Sequence, residues 1–153
     1  MPITINLYNG ITSSLGVYGA IQKTNTLGED TRSSLEATLH SVDVASFNAA
    51  NPAGVTGNEL ATANGYTVGG KVLQNLRFTY TAGVLALFAD DVTWTASGAG
   101  FTAKSALLRY RYPVASGIEA LALIDFGFTA TISAGASLTL QWPSAGIFKW
   151  DLA

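Results

Sequence analysis

The most regular signal in this chain is a two-residue alternation of apolar and polar side chains, repeated in short runs through its second half. From Lys71 to Tyr80, the residues Val72, Leu76, Phe78 and Tyr80 fall on one side. Lys71, Asn75, Arg77 and Thr79 fall largely on the other, which is the period of a half-buried strand. Thr81-Ala82-Gly83 is a turn signal and Val84–Ala89 returns, so the two runs predict a hairpin. Val92 and Trp94 then alternate with Thr93 and Thr95, and Ser97–Gly100 reads as a loop. In Thr102–Tyr112, Ala106, Leu108, Tyr110 and Tyr112 share a face, Arg109 and Arg111 take the opposite one, and Pro113 ends the ladder. Ile118–Phe126 is apolar on both faces, as a central strand covered from two sides would be. Ser133-Ala134-Gly135 turns into Ala136–Trp142, and Ile147–Trp150 forms a last segment.

The first half is less regular. Leu35, Ala37 and Leu39 predict a strand whose phase slips near Ser41–Val42, the mark of a bulge. Residues 46–65 read as a long surface loop. One stretch, Ile11–Lys23, carries a helical spacing through Ile11, Leu15 and Tyr18, weakened by Gly16 and Gly19. Short strands at close spacing with Gly and Pro turns predict an all-β chain: a single antiparallel β-sandwich, jelly-roll-like, over 35–153. Residues 1–34 form an extended N-terminal arm on this reading.

Composition narrows the function. The 153 residues suit one domain, and only 12% are charged against 48% hydrophobic, with a net charge of −2. The few cations are scattered, so phosphate neutralisation and a nucleic-acid partner are not expected. The absence of cysteine removes disulfides, thiolate metal sites and thiol nucleophiles, and suits assembly in a reducing cytoplasm. No basic n-region precedes Lys23, so no secretory leader is expected. The longest uncharged stretch, Phe126–Phe148, is broken by Gly127, Gly135 and Pro143, so no membrane span is expected either. So little charge leaves surfaces prone to association, which points to a large core or a face covered by partners.

The candidate chemistry is sparse. Gly65–Lys71 has the G-x-x-x-x-G-K spacing of a phosphate loop, but Val72 replaces the metal-binding hydroxyl and a strand follows where a helix is needed. His40 is the sole histidine, has no G-x-S-x-G elbow beside the chain's serines, and reads as a strand residue on a polar face. One His and no Cys exclude most zinc arrangements. Asp90-Asp91 and Glu29-Asp30 are adjacent pairs that a strand would split between faces; a loop around Asp90-Asp91 is the one place Ca²⁺ would fit. No catalytic set, metal or cofactor is therefore expected. Trp94, Trp142 and Trp150 with six Tyr suit core and interface anchors, or a sugar platform. Arg109-Tyr110-Arg111-Tyr112 reads as a strand packed inward by Tyr and paired outward, through Arg, with acidic groups of a partner.

Several short segments, in order, resemble small virion structural proteins of tailed bacteriophages. They are Asn58-Glu59-Leu60 with Gly65–Gly70, Ala89–Trp94, Thr102–Leu108, Leu123–Gly127, and Ile132–Gly135 with Leu138–Pro143. The resemblance covers most of the second half and extends toward Leu35, while residues 1–34 depart from it. It implies a single β-sandwich or jelly-roll domain without enzymatic residues. The expected function is a capsid decoration, or cement, protein that binds the major capsid protein on the outer surface of the virion. Such a protein would act as a trimer or dimer after synthesis in the host bacterial cytoplasm. Ile3, Ile5, Leu7 and Tyr8 would add a strand to a neighbour's sheet edge. Arg109, Arg111, Phe148 and Trp150 are the other expected contacts. The alternative is a tail, neck or fibre-associated adhesion module that binds host surface glycans.

Overall fold

The computed structural model describes residues 4–7, 34–42, 58–111 and 118–151. Ten strands and no helix occur among them. A five-stranded antiparallel sheet is built from β1 (Thr4–Leu7), β8 (Ile118–Ile132), β7 (Phe101–Arg111), β2 (Ser34–His40) and β3 (Lys71–Val72), in that spatial order. A three-stranded sheet places β5 (Val84–Phe88) between β10 (Phe148–Asp151) and β4 (Arg77–Thr81). β6 (Val92–Thr95) and β9 (Ser137–Leu140) form a separate ribbon.

The core explains why these runs alternate. Leu35, Ala37 and Leu39 of β2, Ala106, Leu108 and Tyr110 of β7, and Ala122 and Ile124 of β8 line one face of the large sheet. They form one buried cluster with Leu87 and Phe148 of the three-stranded sheet and with Val92, Trp94 and Leu140 of the ribbon. The smaller sheets thus pack on the large one, and the fold is all-β and sandwich-like, as expected. The opposite face of the large sheet is closed as well, for Leu107 and Leu123 are fully buried there with Ala120, against Val42. Each such leucine contributes about 1.5–3 kcal/mol relative to exposure. β8, with buried side chains from Ala120 to Ile124, is the doubly covered central strand that its apolar run predicted.

The hairpin is present. Thr81 faces Val84 across Ala82 and Gly83, both at positive φ (+49° and +84°), as the right-handed twist of a two-residue hairpin requires. The Ser133–Ala136 turn and the Val92–Thr95 alternation also stand, and the outer face of the ribbon pairs Thr93 with Thr139 and Thr95 with Ser137 through their hydroxyls.

Three expectations change. The run from Lys71 to Tyr80 is two strands in two sheets, because Asn75 takes φ +52° and Leu73 turns into the core, breaking the extended backbone. No bulge occurs at Ser41–Val42: β2 keeps regular register to His40↔Ser105 and then ends, as Ser41 N–H donates to the Asn58 carbonyl. The irregularities lie instead between β7 and β8. There Lys104 alone sits between the paired residues Ala103 and Ser105, while 126–129 intervene between their partners Ala130 and Asp125. Third, β1 pairs with β8 of its own chain, so part of the expected free arm belongs to the large sheet. The helical candidate at 11–23 and the loop expected at 46–65, up to residue 57, lie outside the described residues.

Candidate functional site

Among the described residues, the most organised polar group sits at the β3 side of the large sheet. Glu36 of β2 and Arg109 of β7 are register partners, so their side chains emerge on the same face. Arg109 Nε donates to Glu36 Oε2 at 3.0 Å, and its Nη1 to Glu59 Oε2 at 3.1 Å. Arg111, two residues on and therefore on the same face, grips Glu36 in a fork: Nε to Oε1 at 2.7 Å and Nη2 to Oε2 at 3.2 Å. Glu59 arrives from the segment following residue 57, which is held on β2 by the His40↔Glu59 bridge and by Leu60 N–H donating to the Leu39 carbonyl. Its Oε1 accepts from the Tyr66 hydroxyl at 2.7 Å and from the Gly69 N–H at 2.6 Å. The Tyr66 oxygen in turn accepts from Leu39 N–H at 3.2 Å.

Two arginines thus neutralise two carboxylates, and all but Arg111 are nearly closed to water. Arg109 and Glu36 are 3% and 5% exposed, and Tyr66 is 2% exposed. Burial, followed by the hydrogen bond to Glu59, pushes the Tyr66 phenol far above its ordinary range. For the Arg111 guanidinium the order is different: its hydrogen bonds to the Glu36 carboxylate raise it, against burial, which lowers it. The cluster clamps residues 58–70 onto the sheet, with each of its two carboxylates hydrogen-bonded to at least one arginine.

Its outer rim is open. The Arg111 side chain is 42% exposed. Among the described residues Nη1 has no partner. The Val72 register position faces Glu36, and Gly69 lies beside Arg111 Nη2. Val68 and Val72 are the exposed valines of this rim, at 55% and 47%. A guanidinium with one free edge, held in place by Glu36 and set beside two exposed apolar side chains, is suited to binding an acidic and apolar surface.

The expected contact residues are distributed unevenly. Arg109 does not face outward; its acids are Glu36 and Glu59 of the same chain, because the register buries it between them. Arg111 keeps part of its expected outward role. Phe148 is in the core at 7% exposure, on the inward face of β10 opposite Leu87. Trp150 is the register partner of Leu85. Ile5 and Leu7 stand opposite Ile124 and Ala122 in β1, while Ile3 and Tyr8 lie outside the described residues.

The remaining candidates have structural partners. His40 is a strand residue on the polar face of β2, the face of Glu36 and Thr38, and is fully buried there with Nε2 2.8 Å from Thr38 Oγ1. Trp94 is a core residue, and its Nε1 has no hydrogen-bond partner among the described residues. Trp142 is fixed by its indole N–H on the Asp90 carbonyl and by its backbone N–H on Asp91 Oδ1, so Trp94 and Trp142 do not form an open platform. No group of three His, Cys, Asp or Glu able to hold a metal occurs among the described residues. The Gly65–Lys71 segment is the turn entering β3, where a Cβ at Gly70, with its φ of +65°, would run into the Ala37 carbonyl. Pattern alone did not reveal Glu36, Glu59 and Tyr66; Glu36 falls on the polar phase of β2 with Ser34, Thr38 and His40, where the alternation gives no sign of a buried ion pair.

Comparison with known proteins finds no matching family model, no matching curated protein and no matching solved structure.

Proposed function

We propose that this protein is a structural component of a tailed-bacteriophage particle. In this reading it is a decoration, or cement, protein that binds the major capsid protein on the outer surface of the shell as a trimer or dimer. The observation that carries the reading is the rim of Val68, Val72 and Arg111, a preorganised guanidinium flanked by exposed apolar side chains. The sandwich-like all-β fold, the low charge and the segment resemblance support it, and a jelly-roll arrangement of the strands belongs to the same proposal. Binding only the assembled shell stabilises that state by mass action, so no catalytic step is assigned.

Particles lacking the protein are expected to lose resistance to heat and to low salt; equal resistance overturns the proposal. Val72→Glu and Arg111→Glu, made separately, are expected to lower occupancy on purified particles at least tenfold, the equivalent of about 1.4 kcal/mol. Copy number separates this reading from the tail, neck or fibre adhesion alternative. Hundreds of copies per virion fit decoration, and a dozen or fewer fit the alternative.

A further inference from the structure

The outer edge of β8 is held by a strand that the chain attaches through an unusually long connection. β1 pairs with β8 from Thr4↔Asp125 to Leu7↔Ala122, and this contact sets Ile5 and Leu7 beside Ile124 and Ala122, which line the core. β2 lies on the far side of β7, three strand spacings away, or about 14 Å. Successive neighbours in the sheet are antiparallel, so β1 ends and β2 begins at the same end of it. A gap of roughly 20 Å, a little over six extended residues, is all that the connection has to cross. The chain supplies 26 residues, 8–33, half of them Gly, Ser, Thr or Asn. The contour of 26 residues reaches roughly 90 Å. A folded domain of 153 residues has a radius of gyration of about 15 Å, so the β8 edge of an adjacent copy falls within that reach.

The edge itself demands an occupant. β8 is buried on both faces, and an uncovered edge on such a strand is a template for uncontrolled pairing. Any copy of Thr4–Leu7 fills it equally well, because the contacts are the same whichever chain supplies the strand. We infer that β1 is an exchange strand: in the oligomer, Thr4–Leu7 of one copy occupies the β8 edge of another copy of this chain and ties neighbours together. At the local concentrations of an oligomer, the neighbour's β1 competes with the chain's own, because the closure advantage of a segment falls as the connection to it lengthens. The inference extends the proposed assembly role but does not depend on what the oligomer binds.

The chain has no cysteine, so paired cysteines read the exchange directly. Leu7→Cys and Ala122→Cys stand opposite each other, as do Thr4→Cys and Asp125→Cys. The second pair serves if Ala122→Cys, which is fully buried, impairs folding. The two single variants of a pair, carrying tags of different size, are co-expressed, purified together and oxidised with diamide. A disulfide-linked heterodimer at the summed mass, well above the level seen for mismatched pairs such as Leu7→Cys with Asp125→Cys, is the expected result. If the co-expressed single variants give no heterodimer above that background while the double variants cross-link only within the monomer, exchange is overturned. Because this experiment uses isolated protein and no particles, its outcome is separate from that of the shell-stability test.

Discussion

Arg109 is enclosed by the carboxylates of Glu36 and Glu59, and each of the three depends on the others to offset the cost of leaving water. Removing the cation leaves the Glu59 carboxylate without its arginine and Glu36 with Arg111 alone. Arg109→Met is therefore expected to destabilise the fold by about 3–5 kcal/mol, measured by urea unfolding. Arg111→Ala should cost distinctly less, because Glu36 keeps Arg109 and the Arg111 side chain is already part solvated. Tyr66→Phe removes the donor to Glu59 Oε1 and leaves Leu39 N–H without its acceptor. A loss of about 1–3 kcal/mol is expected in the same assay. Glu36 reads in the sequence as one of the polar positions of an alternating strand, with nothing to mark it as buried. Its partners were not legible either, because pairing across 73 residues is a property of register.

The elements themselves were largely legible, since an apolar side chain at every second position is the period of a strand with one face in the core. The β4–β5 hairpin shows how local this information is. Ala82 is an alanine held at φ +49°, where a side chain costs about 1 kcal/mol and Asn or Gly is favoured. Ala82→Asn should raise stability by about 0.5–1 kcal/mol and the melting temperature by roughly 2 °C in a calorimetric scan. Where the pattern misled, the cause was equally specific. Lys71–Tyr80 keeps its alternation across the Asn75 break, so periodicity cannot show that β3 and β4 belong to different sheets. The irregularity of β8 was also hidden. Gly127 at φ +71° and the Asp125 carboxylate accepting the Gly127 N–H set up a protrusion that carries Phe128 at 52% exposure, within β8 but beyond the run Ile118–Phe126 that the pattern predicts.

At the scale of the molecule, the low charge has two destinations. Part of it is the doubly buried large sheet, with Leu107 and Leu123 on one face and the main cluster on the other. Part is the open rim at Val68 and Val72, where apolar side chains meet solvent. Global stability should also depend on alkaline pH through Tyr66. Its phenol is raised in the folded state above the unfolded value near 10, so the protonated form is favoured by folding. That contribution is fully present below about pH 10 and is lost as pH rises beyond it. Denaturant midpoints measured between pH 8 and 11.5 should fall above pH 10 in the wild type and fall less steeply in Tyr66→Phe.

The sequence by itself determined the class of fold, the position of most strands in the second half, and the doubly covered character of Ile118–Phe126. Each of these follows from the side-chain period along a single strand, which is local. Only the tertiary structure decided which strands meet and therefore what the polar residues do. It turned Arg109 from a contact for a partner into the centre of an internal clamp, placed Phe148 in the core, and left Arg111 at the rim. The physical reason is that a strand pattern says which face a residue takes, while the neighbour on that face comes from register between segments far apart in the chain.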